Sequence, residues 1–400
     1  MRTTRSALLS LTTTLAVIVA GVLLVAVRPV AAATLREVTG FGTNPGNLQM
    51  FTYAPAGLPA GRPLVVAMHG CGQTAPVYAN NTGWTSLADR WGLAIVAPQQ
   101  QTANNSSRCF NWFLPGDISR GQGEALSIKQ MVDRARADFG SAADRVFVTG
   151  LSAGGAMTAV MMATYPDVFA GGGIAAGIPY RCAESQSAAF TCLSAVPNLS
   201  PQQWGDKVRA ASGHGGPWPV LSVWHGTSDF TVTRANMTEL VDQWTNVHGT
   251  DQTPDVSDTV AGYPHRVYRN GAGRAVVESF EITGMGHGQP IDPGTGSTQC
   301  GSTGDGFILD VNICAAYQMG RFWGIAGSAP PPTTTTTGSP VACFTASNYA
   351  HVTAGRAYTS GGYTYAVGSN QAMGLYNTWV THTLARTAPN YYVLADAGCP

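Results

Sequence analysis

The 400-residue chain is longer than a usual single domain, has 11% charged residues and a formal net charge of zero. Ordinary soluble proteins carry about 25%, so the solvated surface must be largely neutral and polar, and the length anticipates one large domain plus something smaller. No Lys/Arg cluster is dense enough to track a phosphate backbone or an anionic membrane, so nucleic acid is excluded as an expected partner.

The chain opens with Arg2 and Arg5, continues through an apolar run over residues 15–27 and reaches Ala31-Ala32-Ala33. A basic start, a short apolar stretch and an A-x-A site describe a signal peptide over 1–33. The run falls short of the roughly 20 residues that a spanning helix needs. The mature protein is therefore expected to be secreted, extracellular and without a membrane span.

Eight cysteines in an exported chain favour disulfides over metal ligands, because the outside of the cell is oxidising and no C-x-x-C pair is present. Proximity along the chain suggests Cys182 with Cys192, Cys300 with Cys314 and Cys343 with Cys399, which leaves Cys71 for Cys109.

Residues 34–326 alternate strand-like and helix-like patterns, the signature of a mostly parallel sheet with crossover helices. The short apolar runs Leu64–Met68 and 93–97 suit buried strands, and a short helix is predicted between them over Trp84–Trp91. Helical spacing of Ala125, Leu126, Ile128, Met131 and Val132 predicts a helix over Gly123–Phe139. A strand at 145–149 and a helix at 153–165 follow, then a strand at 220–224 and a helix near 236–246.

The sharpest discontinuity is 327–342, GSAPPPTTTTTGSPVA, whose prolines and threonines favour an extended spacer. Beyond it, residues 343–400 hold many aromatics in a segment too small for a generous core, where a Cys343 to Cys399 closure makes physical sense. Exposed, those aromatics could adsorb to a polymer surface; buried, they would form the module's own core.

Chemistry concentrates in Gly150-Leu151-Ser152-Ala153-Gly154, a G-x-S-x-G between a β-rich run and a helix. This is the context of a nucleophile elbow, where a tight glycine-flanked turn lifts the serine hydroxyl above the sheet of an α/β-hydrolase fold. A serine needs a base to remove its proton and a carboxylate to orient that base, in the chain order Ser, acid, His. Asp229 lies just past the strand at 220–224, and His287 lies in the glycine-flanked loop Gly284-Met285-Gly286-His287-Gly288. His265 is the main competing histidine, in a more strand-like context. The segment His69-Gly70-Cys71-Gly72 follows a strand where such a fold places its second oxyanion donor, so main-chain N–H groups of Cys71 and Ala153 are the expected oxyanion hole. Motifs for metal or nucleotide cofactors are missing, and none is expected.

Residues 60–325 resemble the catalytic domain of extracellular short-chain polyhydroxyalkanoate depolymerases, an esterase group that includes acetylxylan and feruloyl esterases. HGCGQ at 69–73, CFNWFLPGD at 109–117, RGQGEALSIKQMV at 120–132, VTGLSAGGAMT at 148–158, VWHGTSDFTV at 223–232 and GMGHGQP at 284–290 carry the resemblance. It implies Ser152 as nucleophile, His287 as base, Asp229 as its acid and the loop from His69 to Cys71 as the oxyanion site. It also implies an insoluble polyester as substrate and a C-terminal substrate-binding module after the linker. Trp112 is read as lining the monomer pocket, with a core position as the alternative. Two rival readings stand beside the polyester one: an esterase of plant xylan, and a surface- or carbohydrate-binding protein with a vestigial hydrolase domain. A monomer is expected.

Overall fold

The computed structural model describes residues 34–327, 342–388, 391–396 and 398. The expected signal peptide, most of the linker and Cys399 lie outside these residues.

Two short strands, Arg36–Val38 (β1) and Gln49–Tyr53 (β2), precede Leu64–Met68 (β3). Helices Ala75–Asn81 (α1) and Trp84–Trp91 (α2) lead to Ala94–Gln99 (β4), followed by Gly123–Phe139 (α3), Val146–Leu151 (β5) and Ala153–Thr164 (α4). Next come Gly171–Ala175 (β6), Gln186–Ser194 (α5), Pro201–Arg209 (α6), Val220–Gly226 (β7) and Ala235–Val247 (α7). Val256–Val260 (β8), Tyr263–Arg269 (β9), Ala275–Ile282 (β10), Gln289–Ile291 (β11), Ile308–Asp310 (β12) and Ala315–Phe322 (α8) complete the part before the linker.

Ten of these strands form one sheet in the order β1-β2-β4-β3-β5-β6-β7-β10-β9-β8. The six from β4 to β10 run parallel, and the flanking pairs at both edges are antiparallel. All five residues of β3 are buried, as a parallel strand covered on both faces requires. Leu64, Val66 and Met68 enter one core with residues of α3, α4 and α7. Val65 and Ala67 point the other way, toward a second core with residues of α1, α2 and α8. The continuous apolar runs of the sequence thus become a three-layer α/β sandwich.

Helix α2 illustrates how local chemistry sets the boundaries. Gly83 and Gly92 adopt φ of 87° and 63° at its two ends, a left-handed conformation that glycine takes without steric cost. Trp84, Leu87, Ala88 and Trp91 then recur on one buried face. Trp84 stacks on Trp323 at 5.6 Å, and Phe147 of β5 stacks on the same indole at 5.0 Å; such pairs contribute about 0.5–1.5 kcal/mol beyond area burial.

Helix α3 matches the periodicity prediction, whereas β5 and β7 extend beyond the apolar runs that announced them. Strand β7 continues through His225 and Gly226 because both pair with β10, opposite Glu281 and Ile282. Helices α1, α5 and α6 were not anticipated. They are short, of seven to nine residues, and Ser185 and Ser200 act as side-chain caps for the latter two.

From residue 342 on, Ala342–Ser347 (β13), Thr381–Ala388 (β17) and Tyr391–Leu394 (β18) form one three-stranded sheet, and Ala357–Ser360 (β14), Tyr363–Ala366 (β15) and Ala372–Leu375 (β16) another, with helix Asn348–Thr353 (α9) between β13 and β14 in the chain. Their small core gathers Ala357, Ala366, Met373, Leu384 and Tyr392.

Disulfides join Cys71 to Cys109, Cys182 to Cys192 and Cys300 to Cys314. The expected Cys343 to Cys399 bridge reaches a residue outside those described.

Candidate active site

Strand β5 ends at Leu151 and α4 begins at Ala153, so Ser152 alone makes the turn, with φ 57° and ψ −118°. A non-glycine residue held in such a region costs about 1–3 kcal/mol and persists only where its surroundings over-determine it. Here the Ser152 N–H donates to Ala175 O at 2.9 Å, and the Ala156 N–H donates to Ser152 O at 2.8 Å. Space forces the flanking glycines. A Cβ at 154 would stand 2.6 Å from His69 O and nearer still to Met68 O, and one at 150 would strike the Gly154 carbonyl.

Strand β7, separated from β5 by β6 in the parallel part of the sheet, carries Asp229 in the turn after its end. One carboxylate oxygen, Oδ1, accepts the N–H groups of Thr231 and Val232, each at 2.9 Å. The other, Oδ2, lies 2.7 Å from Nδ1 of His287, in the loop between β10 and β11. With Nδ1 as the donor, Nε2 is left as the basic nitrogen. Burial works against ionising Asp229, but hydrogen bonds from His225 and His287, the charge of His287 and the Val232 N–H outweigh it and hold the carboxyl well below its ordinary range. Gly226 makes the pairing of these two loops possible, since a Cβ there would stand 2.6 Å from Gly286 O and closer to Met285 O.

His265, the competing histidine, is placed elsewhere. It lies on β9 between Asp258, at 2.7 Å, and the buried Glu278, at 3.3 Å.

Ser152 and His287 line one cleft of about 560 Å³, together with Gly70, Cys71 and Ala153. The Cys71 N–H has no protein acceptor among the described residues, and Ala153 supplies the first N–H of α4, which has no partner within its helix. Two donors of this kind beside the hydroxyl of Ser152 suit a developing oxyanion.

The side chain of His69 takes no part in that cleft. It is fully buried beneath the loop; Nδ1 donates to Gly70 O at 2.7 Å and Nε2 accepts from the Gln100 N–H at 3.1 Å. Burial, assisted by the nearby charge of Arg108, pushes its pKa down to about 4, so the ring is neutral and supports the loop from below. Gln73 holds the same loop from the side, accepting the Gly70 N–H at 2.7 Å and donating to Asp305 at 3.0 Å.

Residues 48–258, more than half of the chain, match the protein family described as Esterase PHB depolymerase. The chain belongs to the esterase PHB depolymerase family. It is 57% identical over 306 residues to poly(3-hydroxyalkanoate) depolymerase C of Paucimonas lemoignei, covering 76% of this chain and 73% of that protein. An acetylxylan esterase of Coprinopsis cinerea is 37% identical over 65% of this chain and 71% of its own length. Feruloyl esterase B of Talaromyces stipitatus is 34% identical over 66% and 74%. Among solved structures, acetyl xylan esterase from Aspergillus awamori superposes with a TM-score of 0.62 at 27% identity, covering 73% of this chain and all of that one.

This esterase of the PHB depolymerase family has two cleft walls built from segments far apart in the chain. One is the stretch from Asn104 to Leu114, with Trp112 lining the cleft while only 6% exposed; lining and core packing are thus both true of that residue. The other is α5, contributing Gln186, Ala189, Phe190 and Leu193, and Phe307 also lines the cleft. Sequence reasoning missed α5 and Phe307. The available signals were the Ser185 cap and the Cys182 to Cys192 staple, which together mark a short, tied-down helix.

A buried carboxylate anchors the first wall. Glu124 accepts the Asn111 N–H at 2.9 Å and the side-chain amide of Gln100, which itself donates to Cys109 O at 3.1 Å. Desolvation, and then the charge of Asp117, raise its pKa to about 8.

Proposed function

We propose that this esterase hydrolyses poly(3-hydroxybutyrate)-like polyesters outside the cell through an acyl-enzyme. The observation that carries the substrate is the 57% identity to a poly(3-hydroxyalkanoate) depolymerase over most of both chains. The cleft is consistent with it: its lining is apolar or neutral, from Leu114, Ile178 and Phe190 to Asn104, Asn105 and Gln186. An uncharged polyester can enter it without leaving a buried ion unpaired.

In this reading Ser152 is the nucleophile. His287, oriented through Nδ1 by Asp229, takes the serine proton at Nε2 as Oγ attacks the ester carbonyl. The N–H groups of Cys71 and Ala153 hold the carbonyl oxygen as it becomes anionic, and the imidazolium then protonates the leaving alcohol. Water, deprotonated by the same imidazole, attacks the acyl-serine, releases the hydroxyacid and restores Ser152.

Residues 1–33 are assigned as an export signal, 34–326 as the catalytic domain, 327–342 as a spacer and 343–400 as a surface-binding module. The last assignment is supported by Trp379, which is 86% exposed, and by Tyr349 and Tyr376, exposed neighbours with ring centroids 5.7 Å apart. Aromatic faces of this kind adsorb to weakly polar surfaces.

Esters of plant xylan are the second reading, favoured by the acetyl xylan esterase whose whole length superposes on this chain. The test is side-by-side release of soluble product from amorphous poly(3-hydroxybutyrate) and from acetylated or feruloylated xylan. Hydroxybutyrate release with Ser152→Ala inactive is expected; release from xylan alone would sink the polyester assignment while keeping the triad.

A further inference from the structure

His225 is a second histidine at the Asp229 carboxylate, and the mechanism above does not use it. Its side chain is completely buried at the end of β7. Nε2 donates to Val232 O at 2.9 Å and stands 3.4 Å from Asp229 Oδ2, the same oxygen that His287 contacts. The Val232 peptide is therefore held at both ends, its N–H by Asp229 Oδ1 at 2.9 Å and its carbonyl by His225. Nδ1 is buried and has no hydrogen-bond partner among the described residues.

We infer that His225 is a positioning residue for the triad, an imidazole whose Nε2–H locks the Asp229 turn through Val232 and keeps a donor beside the oxygen facing His287.

Chemistry restricts His225 to this role. Both oxygens near Nε2, Val232 O and Asp229 Oδ2, are acceptors, so this nitrogen carries a proton and the ring acts here as a donor. A polar Nδ1 without a partner in the core costs free energy, and a small apolar residue would fill the space without that cost. What the imidazole adds is directional. Asp229 is reached from the Val232 side by two backbone donors and from the β7 side by His225, so its carboxylate plane is set before His287 approaches. Misplacing a catalytic group by about 1 Å can cost roughly 100-fold in rate.

The inference rests on the triad assignment, so Ser152→Ala is measured alongside. Hydrolysis of p-nitrophenyl butyrate surviving in that control would mean the triad assignment has failed, independently of His225. The informative pair is His225→Leu and His225→Gln, the amide of Gln reaching the place of Nε2–H. The Leu variant is expected to lose about 10–100-fold in kcat with KM unchanged, and Gln to recover most of the loss.

The pH profile separates positioning from mere packing. Among the described residues, His287 and His225 are the ionisable side chains at the Asp229 carboxylate. Removing the His225 donor leaves more negative charge facing His287, which favours its protonated, inactive form. The acid limb of kcat/KM should therefore move to higher pH in His225→Leu and stay in place in His225→Gln. A folded Leu variant with unchanged kcat, or equal losses in Leu and Gln with an unmoved limb, would overturn the inference. Should the Leu variant not fold, His225→Asn, polar but too short to reach Val232 O, is read by the same criteria.

Discussion

Replacing Gly226 by alanine tests whether the close approach of two loops sets the geometry of the site. An ordinary van der Waals contact begins near 3.4 Å, whereas a Cβ at 226 would stand 2.6 Å from Gly286 O. Met285 O would be closer still, so the loop bearing His287 must retreat by at least about 0.8 Å, and the atoms in the way are backbone, which cannot rotate aside. Retreating along the Asp229 to His287 vector, the loop would stretch that hydrogen bond from 2.7 Å to roughly 3.5 Å, outside the range of a good bond. Overpacking of this kind costs about 1–3 kcal/mol of stability. Loss of the orienting bond costs more in rate: about 100-fold for a misplacement approaching 1 Å, with about 10⁴-fold as a ceiling when the acid's role is abolished. The assay is kcat on p-nitrophenyl butyrate with thermal melts of the same preparation. A Gly226→Ala protein that melts within a few degrees of wild type and keeps its full kcat would refute the reasoning.

Three further outcomes follow from the same geometry. Ser152→Gly should be inactive yet melt at a higher temperature than Ser152→Ala, because only glycine relieves the backbone at φ 57° and ψ −118°; equal midpoints would mean the turn stores no strain. Glu124→Gln should raise KM, since an amide cannot accept from both Asn111 and Gln100, and a steady-state KM equal to wild type would show that the wall does not depend on it. Because the pKa of Glu124 is raised in the folded state to about 8, the folded protein binds a proton there that the unfolded chain has released. Its contribution is greatest below the unfolded pKa and is lost as pH rises toward about 8. The melting temperature of wild type relative to Glu124→Gln should accordingly fall between about pH 5 and pH 8; a difference independent of pH would contradict the raised pKa.

The sequence by itself determined the parts of this protein whose chemistry is local. Buried parallel strands need continuous apolar runs, so LVVAM and VLSVW were legible. An elbow needs small residues around its serine, so Gly150 to Gly154 announced both the turn and the candidate nucleophile. Asp229 and His287 could be named because chain order and strand-end loops restrict the choice. Proximity along the chain also led to the Cys182 to Cys192 and Cys300 to Cys314 pairs.

Tertiary structure decided what depends on segments meeting across long separations. His69 reads as an oxyanion residue in the motif, but its ring turns inward because Gln100, brought alongside by the β3 to β4 pairing, supplies its partner. His225 looks like a loop residue after an apolar run, and only pairing with β10 draws it into the strand beneath Asp229. The cleft is assembled from the 104–114 stretch, α5 and Phe307, three segments with no common pattern. Their short sequences carry little local signal, because their conformation comes from the Cys71 to Cys109 and Cys182 to Cys192 disulfides and from caps such as Ser185.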